Sequence, residues 1–214
     1  MSKPFHLEEQ YDDLIQQHES ASLGMWTFLA TEVLFFGGLI LAYTVYRFLY
    51  HDAFRDGSRQ MEVGIGVINT AVLLSSSLSM ALAVHAAKLG RGKLVAGLLV
   101  LTAFLGAVFL AFKGVEYAGH VRDHKFPGPL FASDKPHPGQ LELFYFIYFA
   151  ATGLHALHLS VGCVVVLVIG WRAWHGRYAT GYHSPVEVTG LYWHFIDVVW
   201  IFLFPLFYLL GQSS

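Results

Sequence analysis

The chain has 214 residues, of which 55% are hydrophobic and only 13% charged, against about 25% charged in soluble domains. With a mean hydropathy of +0.51 this composition reads as an integral membrane protein. A net charge of −2 without a basic run excludes nucleic acid as a partner, and one cysteine, Cys163, excludes an internal disulfide and reads as a packing residue.

Residues 1–20 carry Leu7, Tyr11, Leu14, Ile15 and His18 in a rough helical stripe, against Glu8, Glu9, Asp12, Asp13 and Glu19. An acidic amphipathic segment is repelled by anionic headgroups, so it is expected to lie on a protein partner or to move freely. It has no signal-peptide pattern, and insertion is expected to rely on the first apolar helix. Five long apolar segments follow, at about 23–49, 62–87, 94–118, 141–170 and 187–211. Each exceeds the ~20 residues that span a bilayer as a helix. None alternates with period two, which excludes a β-barrel. The expected fold is all-α: residues 21–214 as one domain, a bundle of five transmembrane helices.

The first span holds Glu32, near mid-membrane. The second is rich in small residues, including Ser75, Ser76, Ser77, Ser79, Ala83 and Ala86, which permit close helix approach in lipid; Asn69 and His85 need partners there. In the third, Lys113 and Glu116 stand three apart and can form an ion pair. Prolines at 127, 129, 136 and 138 break any helix in 119–140. The fourth span carries His155 and His158 on one face. In the fifth, Glu187, His194 and Asp197 share a face, and Trp193 and Trp200 share an adjacent one. Ionisable groups at this depth are costly, so that face is expected to meet protein, not lipid.

Loop charges do not settle orientation, because Lys and Arg count six on each side. Their density in the second and fourth loops (Lys88, Arg91, Lys93, Arg172 and Arg177) favours the N-terminus inside and the C-terminus outside.

The buried polar groups admit three readings. Glu32, His155, His158, His194 and Asp197 could be raw material for a bundle metal centre or a haem site, although HxxH and HxxD depart from paired ExxH. They could form a proton or solute path. Or they could be hydrogen-bonding groups between helices and lipid contacts at the edges.

The ordered motifs carry a resemblance. They are T-E-V-L-F-F-x-G (Thr31–Gly38), N-T-x-V-L-L-x-S (Asn69–Ser76), L-G-x-x-F (Leu105–Phe109) with Glu116–Tyr117, A-T-G-x-H-x-L-H (Ala151–His158), and W-H-F-x-D-V-V-W (Trp193–Trp200) after His183 and Glu187. Together the chain resembles subunit III of the haem–copper respiratory oxidases in its five-helix bacterial form. Two departures stand out. The seven-helix members have two further helices and a lipid-filled cleft, and Lys113 replaces their usual uncharged residue, although bacterial relatives often show K-x-x-E.

The resemblance implies an accessory subunit without haem, metal or catalytic residue of its own. It implies packing on catalytic subunit I, contact with subunit II and other subunits of the respiratory complex, bound phospholipid, and support of proton uptake during oxygen reduction. Glu32, His155, His158, His194, Asp197 and Glu187 are then structural or proton-uptake groups. His85, Arg172, Arg177, His183 and Trp193 are candidate headgroup contacts. The implied location is the bacterial inner membrane. Two alternatives remain: an accessory subunit of a nitric oxide reductase, and an independent metalloprotein built on His155, His158 and His194.

Overall fold

A computed structural model describes residues 11, 13–129, 131–176 and 184–212 of the chain. These form helices α1 (Leu14–Leu49), α2 (His51–Arg59), α3 (Val63–Lys88), α4 (Gly92–Arg122), α5 (Pro138–Trp174) and α6 (Ser184–Phe204), with no strand among them. Five are long and apolar enough to cross a membrane. The protein is an all-α, multi-pass membrane bundle.

Consecutive spans run antiparallel. The α3–α4 and α4–α5 contacts are the most extensive, and α6 packs on α1, α3 and α5 together. More than half of the α6 span is buried inside the bundle, and α1 is the least covered. The small residues of α3 do what their size permits. Ser76, Ser79, Ala83, Ala86 and Ala87 are all buried, and the backbones of α3 and α4 lie close enough for Ser79 Oγ to donate to the Leu98 carbonyl at 2.9 Å.

The first helix starts nine residues before the apolar run. Asp13 caps it, its carboxylate accepting from the Gln16 N–H at 2.7 Å. Residues 14–22, with Glu19 the one acid among them, are therefore the opening turns of α1. At 36 residues it is about 54 Å long and projects beyond a hydrocarbon layer of ~30 Å.

Short α2, not expected from the sequence, is too polar to read as a span. Its Ala53, Phe54, Gly57 and Ser58 are buried nonetheless. The segment it covers is the end of α6. Pro205 has no N–H to give and its ring crowds the carbonyl four residues back, so the helix widens into a π-turn over Pro205–Leu209, closed by Leu210 N–H on the Pro205 carbonyl at 3.1 Å. The carbonyls left without helical donors are met from α1 and α2. Tyr43 Oη donates to Leu206 O at 2.6 Å, Ser58 Oγ to Phe207 O at 2.7 Å, Arg47 to Leu210 O at 2.9 Å, and Arg59 to Gly211 O at 3.1 Å. Every one satisfies a helix-end acceptor. Gly211 is needed there, because a Cβ would lie 2.7 Å from Ser58 Oγ and 2.9 Å from the Arg55 carbonyl.

Candidate functional site

The polar groups inside the bundle fall into separate nests, and the first is a closed network. Lys113 and Glu116, on adjacent turns of α4, form a pair at 3.0 Å with both side chains 3% exposed. Lys113 Nζ also donates to Tyr148 Oη at 2.9 Å and Tyr208 Oη at 2.8 Å. Both tyrosine hydroxyls donate to Glu116 Oε1, at 2.7 and 2.5 Å. The three ammonium protons are all used, the carboxylate accepts three hydrogen bonds and His120 Nε2 lies 3.9 Å from Oε1, so the buried charges are compensated. Trp200 lies with its ring centroid 5.3 Å from Nζ, adding a cation–π contact. This network ties α4, α5 and the C-terminal π-turn together. The ion pair is visible in the i, i+3 spacing, but its tyrosine partners are 35 and 95 residues from Lys113 and no local pattern links them.

A second nest joins α1 to α5. His158 Nε2 lies 3.1 Å from Glu32 Oε2, with both side chains about one-sixth exposed. The ring is aimed by the 2.9 Å contact between Nδ1 and the Leu154 carbonyl. That contact requires a proton on Nδ1, which leaves Nε2 facing the carboxyl. Glu32 and His158 therefore face each other as an acid and a base, in contact but without a hydrogen bond at Glu32 Oε2.

His155, one turn away, is in different surroundings. It is 1% exposed, between the rings of Phe109 and Trp200 at 5.6 and 5.3 Å. Neither of its nitrogens has a hydrogen-bond partner among the described residues, and the same holds for the amide of fully buried Asn69 on α3.

The third nest is on α6. His194 Nδ1 lies 2.8 Å from Ser77 Oγ of α3 and 4.0 Å from Asp197 Oδ2. Glu187, on the same face and two turns towards the N-terminus, pairs with Lys88 at 3.0 Å. On the polar face of α6 Asp197 is buried, while His194 and Glu187, both partly exposed, reach α3 through Ser77 and Lys88. The adjacent tryptophan face meets α3 as well: Trp193 Nε1 donates to Ser76 Oγ at 3.2 Å and Trp200 Nε1 to Thr70 Oγ1 at 3.0 Å.

One expected lipid contact is corrected by this packing. Trp193 is fully buried, so no surface remains for a headgroup. Its ring fills space that two glycines leave open, and a Cβ on Gly106 or Gly162 would come within 3.0 or 3.3 Å of it. His85 and Arg172 are exposed near one end of the bundle. Arg177 and His183 lie outside the described residues, as do residues 1–10 and 12 of the acidic segment 1–20.

His155, His158 and His194 are thus dispersed among an aromatic cage, a carboxyl pair and an α3–α6 seam. Among the described residues no group of three or more His, Cys, Asp or Glu is arranged to hold a metal ion.

The chain was compared with known proteins. The family model for cytochrome c oxidase subunit III matches residues 12–212. A cytochrome c oxidase subunit 3 from Thermostichus vulcanus is 32% identical over 191 residues, covering 89% of this chain and 87% of the relative. One from Synechocystis is 34% identical over 188 residues, covering 87% of this chain and 74% of the relative. One from Marchantia polymorpha is 33% identical over 150 residues, 70% of this chain but only 51% of that longer relative. With five antiparallel spans, the motifs in family order on each, and a match from end to end of the bundle, the chain belongs to the cytochrome c oxidase subunit III family.

Proposed function

We propose that this chain packs against the catalytic subunit of a proton-pumping terminal oxidase, binds phospholipid at its edges, and supports proton uptake and the stability of turnover. As a family member it is an accessory subunit of a haem–copper oxidase and associates with other subunits of that enzyme. Oxygen is reduced to water on the partners, where haem and copper reside. This chain's contribution is physical: a rigid helical surface and a small set of proton-holding groups.

The observation that carries the reading is the match over residues 12–212. The geometry supports it. Lys113, Glu116, Tyr148 and Tyr208 are spent on holding helices together. Glu32 with His158 is the pair suited to holding and releasing a proton. Exposed His85 and Arg172 suit lipid phosphates. We place the chain in a bacterial inner membrane with the Lys88–Glu187 end inside, on the density of basic residues there.

Isolation from native membranes in mild detergent tests this. The chain is expected to travel with haem-bearing and copper-bearing partners, subunits I and II, and the complex to consume oxygen. Isolation without a haem-bearing partner would overturn the reading, and turnover of nitric oxide in place of oxygen would move the chain to a nitric oxide reductase. Stoichiometric metal on the chain alone would restore the metalloprotein alternative.

A further inference from the structure

The seam between α3 and α6 opens at the Lys88–Glu187 end as a groove of about 380 Å³. Its walls step down one helical turn at a time: Lys88, Val84 and Ala81 on α3, and Glu187, Gly190 and His194 on α6. His18 and Ser22 of α1 close its outer side. Small side chains leave the space, and at Gly190 the helices come so near that a Cβ would lie 2.9 Å from a Val84 methyl. The groove ends at His194, whose side chain is 40% exposed.

One turn beyond is Asp197. Its side chain is 5% exposed, and neither carboxyl oxygen has a hydrogen-bond partner among the described residues. Ten residues of helix separate it from Glu187, about 15 Å in depth. With Ser77 and His194 near it but neither in hydrogen-bond geometry, the buried carboxyl is costlier than a native fold ordinarily tolerates, and water is the usual missing partner. The groove is polar at both ends, and 380 Å³ far exceeds the ~30 Å³ of one liquid water. The groups that face the route are His194 and Glu187 on α6, Ser77 and Lys88 on α3, and His18 on α1. Among the described residues His194 is the one charged or titratable partner within 4.0 Å of Asp197. The Glu32–His158 pair bridges α1 and α5 separately.

We infer that the α3–α6 groove is a water inlet through which Asp197 exchanges its proton with the aqueous phase on the Lys88–Glu187 side. His194 stands between the groove and the carboxyl and positions the innermost water, aided by Ser77. The carboxylate takes one proton from a hydrated proton in the groove and releases one water. The return step is the reverse. No oxidant or metal takes part, and the inference does not depend on the oxidase reading.

Infrared spectroscopy of protonated-carboxyl stretching tests it, on the complex isolated from native membranes and transferred into D2O. A band that is lost in Asp197→Asn is expected to shift on deuteration within the mixing time. Ala81→Trp, which places a large ring in the groove, is expected to delay that shift by an order of magnitude or more. Glu32→Gln is expected to leave it unchanged. Should Asp197→Asn fail to assemble, Asp197→Glu identifies the band by moving its frequency. The inference is overturned by a band that does not shift until the protein unfolds, by equal rates in Ala81→Trp and the parent, or by finding no Asp197-dependent band. Loss of the haem-bearing partner during isolation speaks against the oxidase reading and leaves the exchange result standing.

Discussion

Lys113→Met removes the ammonium from the most deeply buried ion pair of the bundle. Glu116 keeps two tyrosine donors, at 2.7 and 2.5 Å, but loses its counter-charge at 3.0 Å with only 3% of its side chain exposed. Breaking a buried pair from one side costs about 3–5 kcal/mol, because the remaining charge is left uncompensated. Glu116→Gln breaks it from the other side and should cost a similar amount. In the double variant no charge remains to be desolvated. The amide oxygen can still accept from Tyr148 and Tyr208, whose hydroxyls lie 3.2 Å apart. Its cost should fall to ~1–2 kcal/mol, the worth of one or two altered hydrogen bonds. The double variant is therefore more stable than either single one. Denaturant unfolding of the purified complex, followed by tryptophan fluorescence, reads this directly, since Trp200 lies against the Lys113 ammonium. Additive losses, with the double variant near the sum of the singles, would refute the claim that the cluster acts as one compensated unit.

Trp193→Ala should destabilise by ~3–5 kcal/mol, the range for deleting a fully buried aromatic, because the glycines at 106 and 162 cannot fill the void; the same unfolding assay checks it, and a loss below ~1 kcal/mol would mean the seam collapses freely. Ser58→Ala strips a donor from the Phe207 carbonyl and an acceptor from the Gly211 N–H, at ~1–3 kcal/mol for groups left unpaired. Amide exchange in the segment after Pro205 should rise while the α3–α4 seam stays protected, and unchanged exchange would contradict the docking role of α2. Glu32→Gln is expected to keep the fold, since an amide is isosteric with the acid facing His158, and to alter oxygen-consumption or proton-uptake kinetics of the complex. Loss of assembly instead would make Glu32 a structural residue.

Much of the architecture is legible in one dimension because hydrocarbon imposes a one-dimensional constraint. A span must satisfy its backbone internally and run for ~20 apolar residues, so the five spans can be read from length and hydropathy. The Lys113–Glu116 pair is legible for a similar reason, since i, i+3 spacing is local geometry. The polar face of α6 is legible because Glu187, His194 and Asp197 repeat with the helix. What each of them meets is not. His155 and His158 share a face in sequence, yet one lies among aromatic rings and the other against a carboxyl of α1, because neighbouring helices converge differently on successive turns. The burial of Trp193 depends on glycines 87 and 31 positions away in α4 and α5. Short α2 carries four buried residues, too few to signal a helix until the π-turn it caps is in place.

By itself, then, the sequence determined the number of spans, their membrane setting, the family motifs and the supply of buried polar groups, since each follows from local composition and helical period. Only the tertiary structure decided which of those groups are paired, which are left unpaired, and where water can reach them. Those outcomes depend on distances between helices that are far apart along the chain, and no periodicity within a single helix encodes them.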